Sequence, residues 1–261
     1  VSAVVRPPAR RVEHVMGMPI SLALRGRHTD DTAARAAWEA ALAVLREADR
    51  VFSTYRPDSC ISRLGRGEIG PEDCPPEVAE VLALGAAAER RSGGAFAVHR
   101  PGPDGAAVLD PSGVVKGWAV ERAAAALEAL PETDFCLSAG GDLTCRTLHD
   151  DAAPWRIGIE DPADPRRLTA VVPVRTGAVA TSGAAHRGAH VVDARTGRPP
   201  AGVASVTVLA ASLTWADIDA TAAYAQGPDA ARWLETLPGR SGLVVWADGS
   251  TTVVEPVLPA G

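Results

Sequence analysis

Apolar and polar positions alternate loosely over residues 18–25, where Met18, Ile20, Leu22 and Leu24 share one side of an extended chain; this predicts an early strand. The period then lengthens. Trp38, Leu42, Leu45, Asp49 and Phe52 recur at steps of three and four, which predicts a helix over 31–52 with Asp31 or Thr32 as its cap and Asp49 as the one polar break in the stripe. A second helix is expected over 77–91, opened by Pro75-Pro76 and closed by Gly93-Gly94, and a third over 118–130, ended by Pro131. Alanine fills much of these helices, which favours helix formation and close, shallow packing. The later half reads mainly as strands, at 134–138, 155–160, 168–175, 178–181, 205–211, 243–246 and 251–254. The last two flank Asp248-Gly249, a hairpin signal, and one more helix is expected over 213–225. No repeat of 20–50 residues is visible. The 25 glycines and 21 prolines are scattered over turns rather than gathered in a linker. Residues 1–261 therefore read as one interleaved α/β domain, the alternative being a helical N-terminal part and a sheet-rich C-terminal part.

Composition narrows the function classes. With 46% apolar and 22% charged residues the chain has the make-up of a globular protein that can bury a core without staples. A net charge of −6 argues against a nucleic-acid partner, whose phosphates call for a basic face. No apolar run is long enough for a membrane span. Cys60, Cys74, Cys136 and Cys145 contain no CxxC pair, which argues against a zinc cage or a disulfide framework. The opening VSAVVRPPARR breaks its apolar stretch at Arg6 and has no nearby cysteine for lipid attachment, so the expected location is cytoplasmic unless the chain has been trimmed.

Four segments could carry chemistry. In WADIDATAAYA (215–225), Asp217 and Thr221 are four apart and share a helix face, while Asp219 points roughly 200° away from Asp217. A carboxylate beside a hydroxyl suits a hard cation such as Mg²⁺, although an aspartate that merely complements the helix dipole has the same spacing. In LDPSGVVKGWAVERA (109–123), Gly113 and Gly117 bracket Lys116 ahead of the expected helix; backbone N–H groups plus an ammonium make a phosphate cradle, but the pattern is not a P-loop. SAGGD (138–142) places a glycine pair after a short apolar strand, which permits a sharp turn and is not a dinucleotide fingerprint. ATSGAAHRGAHVVDARTGRPP (180–200) gathers Ser182, His186, His190 and Asp193; histidine is the side chain best suited to proton exchange near neutral pH. A serine nucleophile here lacks the GxSxG elbow.

Taken singly these motifs are weak, but their order is specific. VMGMPISL (15–22), FSTYRPDSCISRL (52–64), GGAFAV (93–98), LDPSGVVKGWAVERA, SAGGDL (138–143), ATSG (180–183), HVVDARTGRP (190–199) and ADIDATAAY (216–224) follow one another along nearly the whole chain. In this the sequence resembles the ApbE family of FAD:protein FMN transferases. The resemblance implies a T-fold-like α/β (α+β) architecture of mixed sheets with packed helices. It implies a Mg²⁺-dependent reaction in which FAD is split at its pyrophosphate, FMN is joined by a phosphoester to a Thr or Ser of an acceptor flavoprotein, and AMP leaves. By position it implies metal ligands at Asp217, Thr221 and the Gly113 carbonyl. It implies flavin nucleotide contacts at Met16, Tyr55, Ala95, Phe96, Asp110, Lys116 and Val191, and proton removal by His190, with Asp217 counted among the catalytic groups. Hydrolysis of FAD to FMN and AMP, or flavin binding without catalysis, are the alternatives. The chain departs from the family pattern at Met18, Gly65, Ala97 and Ala194, and only twelve residues separate Phe96 from Leu109.

Overall fold

The computed structural model describes residues 8–101, 107–184 and 191–256. In chain order its elements are β1 (Ala9–Val15), β2 (Met18–Gly26), α1 (Thr32–Phe52), α2 (Cys60–Gly65), α3 (Pro76–Arg91), β3 (His99–Pro101), β4 (Ala107–Leu109), α4 (Ser112–Glu128), β5 (Thr133–Ala139) and β6 (Asp142–Arg146). They continue with β7 (Trp155–Asp161), β8 (Asp164–Val174), β9 (Gly177–Gly183), β10 (Val203–Ala210), α5 (Leu213–Ala225), α6 (Ala230–Leu234), β11 (Ser241–Trp246) and β12 (Thr251–Val254). Eight strands form one antiparallel sheet in the order β1-β2-β5-β6-β9-β10-β11-β12. Strands from the two ends of the sequence thus form the two edges of a single sheet, a mixed helix-and-sheet fold as expected.

Strand periodicity assigns the two faces. Along β2, Met18, Ile20, Leu22 and Leu24 are buried in the main core with the stripe of α1 and the apolar sides of α4 and α5. Ala23 points the other way, where Cys136, Leu143, Cys145 and Val179 meet Trp155 and Val174 of the β7–β8 hairpin. Helices therefore cover one face and a two-stranded ribbon covers part of the other. The Asp31 side chain caps α1 by accepting from the Ala34 N–H at 2.9 Å. Asp49 is half-buried, and the neighbouring Ala48 fills the stripe at that level.

Two-residue turns set the strand ends. Gly140 and Gly141 take φ of 57° and 102°, the left-handed geometry of a tight hairpin, so β6 begins immediately with Asp142 opposite Ala139. Met16 and Gly17 make the matching turn between β1 and β2, at φ of 57° and 70°. The Gly140 N–H donates to the Pro19 carbonyl at 3.1 Å, so the two turns lie at the same end of the sheet.

Candidate active site

The expected glycine-bearing turn around Lys116 is not a turn. Helix α4 begins at Ser112, six residues earlier than the pattern suggested, so Gly113, Lys116 and Gly117 are all helical. The glycines serve close packing instead. A Cβ on Gly117 would stand 2.7 Å from the Leu213 carbonyl oxygen and 2.8 Å from the Asp217 Cβ. A Cβ on Gly113 would stand 2.8 Å from the Phe96 ring. Helices α4 and α5 therefore approach at a distance only glycine allows. Gly117→Ala is expected to force them apart and to cost about 1–3 kcal/mol, read as a lowered thermal midpoint.

That close approach assembles a polar cluster between the two helices. Asp217 is 2% exposed. Its Oδ2 accepts the Gly117 N–H at 2.9 Å, and its Oδ1 lies 3.2 Å from the Lys116 Nζ. A regular helix directs the same Gly117 N–H toward the Gly113 carbonyl, so Asp217 and that carbonyl compete for one donor. Lys116 also pairs with Asp142, whose other oxygen accepts the Thr181 N–H at 2.9 Å. One turn along α5, the Thr221 hydroxyl is 3.0 Å from the Ser182 hydroxyl of β9. Thr181 in turn meets Thr207 of β10 at 2.9 Å.

Two carboxylates here share one ammonium. Burial opposes the charge on Lys116, but Asp217 and Asp142 outweigh it and hold the lysine above its usual range, so it stays protonated. Burial pushes the Asp217 carboxyl up, Lys116 restrains that rise and Asp142 adds to it. Asp219, on the opposite side of α5, belongs to a different network. It is fully buried, pairs with Arg91, and receives the Arg240 Nε at 2.8 Å, while Arg91 stacks over the Trp215 ring at 4.1 Å. Burial raises its carboxyl despite both arginines.

The structure thus brings Gly113, Lys116, Asp217 and Thr221 together. Ala95 and Phe96 lie next to them. The Phe96 ring is buried against Gly113 rather than presented as an open wall, and the Ala95 carbonyl accepts the Ala194 N–H at 3.0 Å. Asp110 holds the start of α4, accepting from the Ser112 N–H at 3.1 Å and pairing with Arg100 at 3.0 Å. Val191 is half-buried on the main core, and Met16 is half-buried in its turn. Tyr55 is 96% exposed on the turn after α1 and touches none of the cluster. His190, with His186, lies outside the described residues. Two contributors were not assigned from sequence: Asp142, whose signal was an acid directly after a glycine-pair turn, and Ser182, which only its partner Thr221 distinguishes from other strand serines.

Among the described residues no group of three His, Cys, Asp or Glu side chains could hold a metal. Magnesium, however, commonly uses one or two carboxylates and takes its remaining oxygens from water and phosphate. Asp217, with lone pairs left on both oxygens, and the half-exposed Thr221 hydroxyl supply hard donors of that kind. They fit a site completed by a phosphorylated ligand. A cleft of about 490 Å³ is lined by Asp193, Arg198, Ala225 and Gln226, one turn along α5 from Thr221. No helix among the described residues is long and apolar enough to cross a membrane.

Comparison with known proteins gives a consistent result. A model of the ApbE family matches residues 16–100 and 101–244. The FAD:protein FMN transferase of Escherichia coli K12 is 32% identical over 148 residues, covering 53% of this chain and 41% of that protein. The Vibrio cholerae O395 protein of the same name is 34% identical over 131 residues, covering 46% and 39%. The chain thus matches about two fifths of the length of these relatives. Among solved structures, a flavinyl transferase ApbE from Pseudomonas stutzeri in its apo form aligns with a TM-score of 0.80 at 23% identity, covering 97% of each chain. Flavin transferase ApbE from Vibrio cholerae aligns with a TM-score of 0.78 at 22% identity, covering 95% of this chain and 98% of that one. At these identities the structural likeness establishes the fold.

Proposed function

The chain belongs to the ApbE family, and on that premise we propose that it is a Mg²⁺-dependent FAD:protein FMN transferase that moves FMN from FAD to a Thr or Ser hydroxyl of an acceptor flavoprotein and releases AMP. The observation that carries this reading is the Lys116–Asp217–Thr221 cluster, built at the contact of α4 and α5 from the residues that match the family's motifs. The single sheet that spans the sequence favours treating the chain as one interleaved domain.

In the transfer, the acceptor oxygen bonds to the phosphorus on the riboflavin side. The bond from that phosphorus to the bridging oxygen breaks, and AMP carries that oxygen away. Bound at Asp217 and Thr221, Mg²⁺ would offset the charge on the diphosphate oxygens. Lys116 adds a fixed ammonium in a poorly solvated place, where it acts more strongly than in water. Asp142 holds that ammonium from its other side and is itself fixed by the Thr181 N–H, so the lysine does not have to be ordered at the moment of reaction. Ser182 fixes the Thr221 hydroxyl. A hydroxyl is a poor nucleophile until it loses its proton, and His190 is assigned that role on motif position.

The test is to incubate the protein with FAD, Mg²⁺ and candidate acceptor proteins, and then to weigh the acceptors and assay AMP. The expected result is an acceptor heavier by one FMN moiety and an equal amount of AMP, both lost when the metal is chelated. AMP and free FMN without a labelled acceptor would replace the transferase with an FAD pyrophosphatase. Retained flavin with no AMP would make the protein a flavin binder.

A further inference from the structure

We propose that Cys60 and Cys74 are the two halves of a disulfide that closes the 60–74 segment of this chain under oxidising conditions. Both are free thiols in the structure. Their sulfur atoms are 2.8 Å apart, so a small movement completes a bond of ~2.05 Å. The pair runs against the expectation drawn from the lack of a CxxC spacing; it lies outside the α4–α5 cluster and does not rest on the transferase reading.

The two backbones are held independently. Cys60 is the first residue of α2, and the Ser59 side chain before it caps that helix by accepting the Ser62 N–H at 3.1 Å. Cys74 follows a short 3₁₀ turn (Pro71–Asp73) and donates its N–H to the Pro71 carbonyl at 3.2 Å. The turn is fastened by the Asp73 carboxylate, which accepts the Gly70 N–H at 3.1 Å, and the chain leaves through Pro75 and Pro76. Both cysteines are half-buried and pack against the main core. The remaining two cysteines show a contrast. Cys136 and Cys145 face each other across β5 and β6, yet the Cys145 thiol is directed at the Val174 carbonyl, 3.9 Å away, and no bond joins the two sulfurs among the described residues.

Closure needs an oxidant, for which a low-molecular-weight disulfide such as glutathione disulfide suffices. One protein thiolate attacks it, forming a mixed disulfide and releasing one glutathione thiolate. The second protein thiolate then attacks the mixed disulfide and releases the other. Two protein thiols and one glutathione disulfide become one protein disulfide and two glutathiones, the two protons passing to the released thiolates or to solvent. Burial, with the neighbouring Cys74, pushes the Cys60 thiol up to about 12, so little of Cys60 is thiolate near neutral pH and its own attack on the oxidant is slow. The bond would tie α2 to the start of α3. Helix α2 packs on α1 and on β4, and β4 leads through Asp110 into α4.

The full chain is incubated in glutathione buffers from fully reduced to mostly oxidised, quenched, alkylated and digested with trypsin without reductant. The expected product at the oxidised end is one species joining peptides 51–63 and 67–90, lighter by two hydrogens than the two free peptides, with Cys136 and Cys145 alkylated. Cys60→Ser loses this species and Cys136→Ser keeps it. Oxidised wild-type protein is expected to melt about 5–10 °C above its reduced form, with no such difference in Cys60→Ser. Alkylated Cys60 and Cys74 in excess glutathione disulfide, stable glutathione adducts on either, or a bridge to Cys136 or Cys145 would each overturn the proposal.

Discussion

Replacing Lys116 with methionine is expected to destabilise the protein by about 3–5 kcal/mol at pH 8, a fall of roughly 10 °C in melting temperature, and by far less at pH 5. Methionine fills similar space but leaves Asp142 and Asp217 buried beside one another with no cation between them. The direction with pH follows from linkage. Burial raises the Asp217 carboxyl to about 7 even with the lysine present, well above the ~3.9 of an aspartate in water. Between those values the folded chain keeps a proton that the unfolded chain has released. The group's contribution to stability is therefore complete below ~3.9 and is lost as pH rises through the folded value. Lys116 restrains that rise, so its removal moves the folded value higher and carries the loss further into the alkaline range. Thermal melts of wild type and Lys116→Met at pH 5, 6.5 and 8 check this. An equal deficit at every pH would show that the lysine acts through packing alone. Millimolar Mg²⁺ should raise the variant's midpoint more than the wild type's if the same carboxylates accept a divalent ion.

How far the site could be read from sequence depends on which forces the pattern encodes. The strand over 18–25, the helix over 31–52 and the helix over 213–225 follow from periodicity, because burial of one face is a property of spacing and the observed bounds agree within a residue. The shared face of Asp217 and Thr221 follows for the same reason. The pattern starts helix α4 six residues late because Gly113 and Gly117 read as turn formers. Gly117 answers to a partner helix a hundred residues away and Gly113 to the Phe96 ring, and no local rule carries either. Strand β1 escapes the pattern because its residues are mostly polar and exposed at a sheet edge, and β6 because it is five residues long behind a glycine turn. Without β6 in the pattern, Asp142 reads as the end of a turn. Its pairing with Lys116 is a long-range consequence of hairpin register: a two-residue turn puts the acid on the first position of the returning strand, facing α4. Spacing likewise does not bring Cys60 and Cys74 together; their proximity comes from a capped helix start and a 3₁₀ turn folding toward each other.

Asp217→Asn is expected to lower FMN transfer by about 10³-fold or more while leaving the melting temperature equal to or above that of wild type. Asparagine keeps the size of the side chain, and its carbonyl oxygen can still accept the Gly117 N–H, so the close contact of α4 and α5 survives. What it removes is a formal charge that burial already opposes, and a neutral amide in that place is cheaper to bury than a carboxylate. It also leaves one ammonium to one carboxylate, since Lys116 keeps Asp142 and can turn toward it from the asparagine NH2 that replaces the oxygen 3.2 Å away. A stability gain with an activity loss is the signature of a residue retained for chemistry, because a structural carboxylate would lose on both counts. Thr221→Val serves as the graded companion. It deletes one hydroxyl, leaves Ser182 without its partner, and should cost about 10–100-fold in transfer. Both variants are measured by the mass gain of the acceptor and by AMP release across a Mg²⁺ titration, with melting curves on the same preparations. Transfer by Asp217→Asn within tenfold of wild type, at any metal concentration, would remove Asp217 from the reaction and with it the chemical reading of the α4–α5 contact.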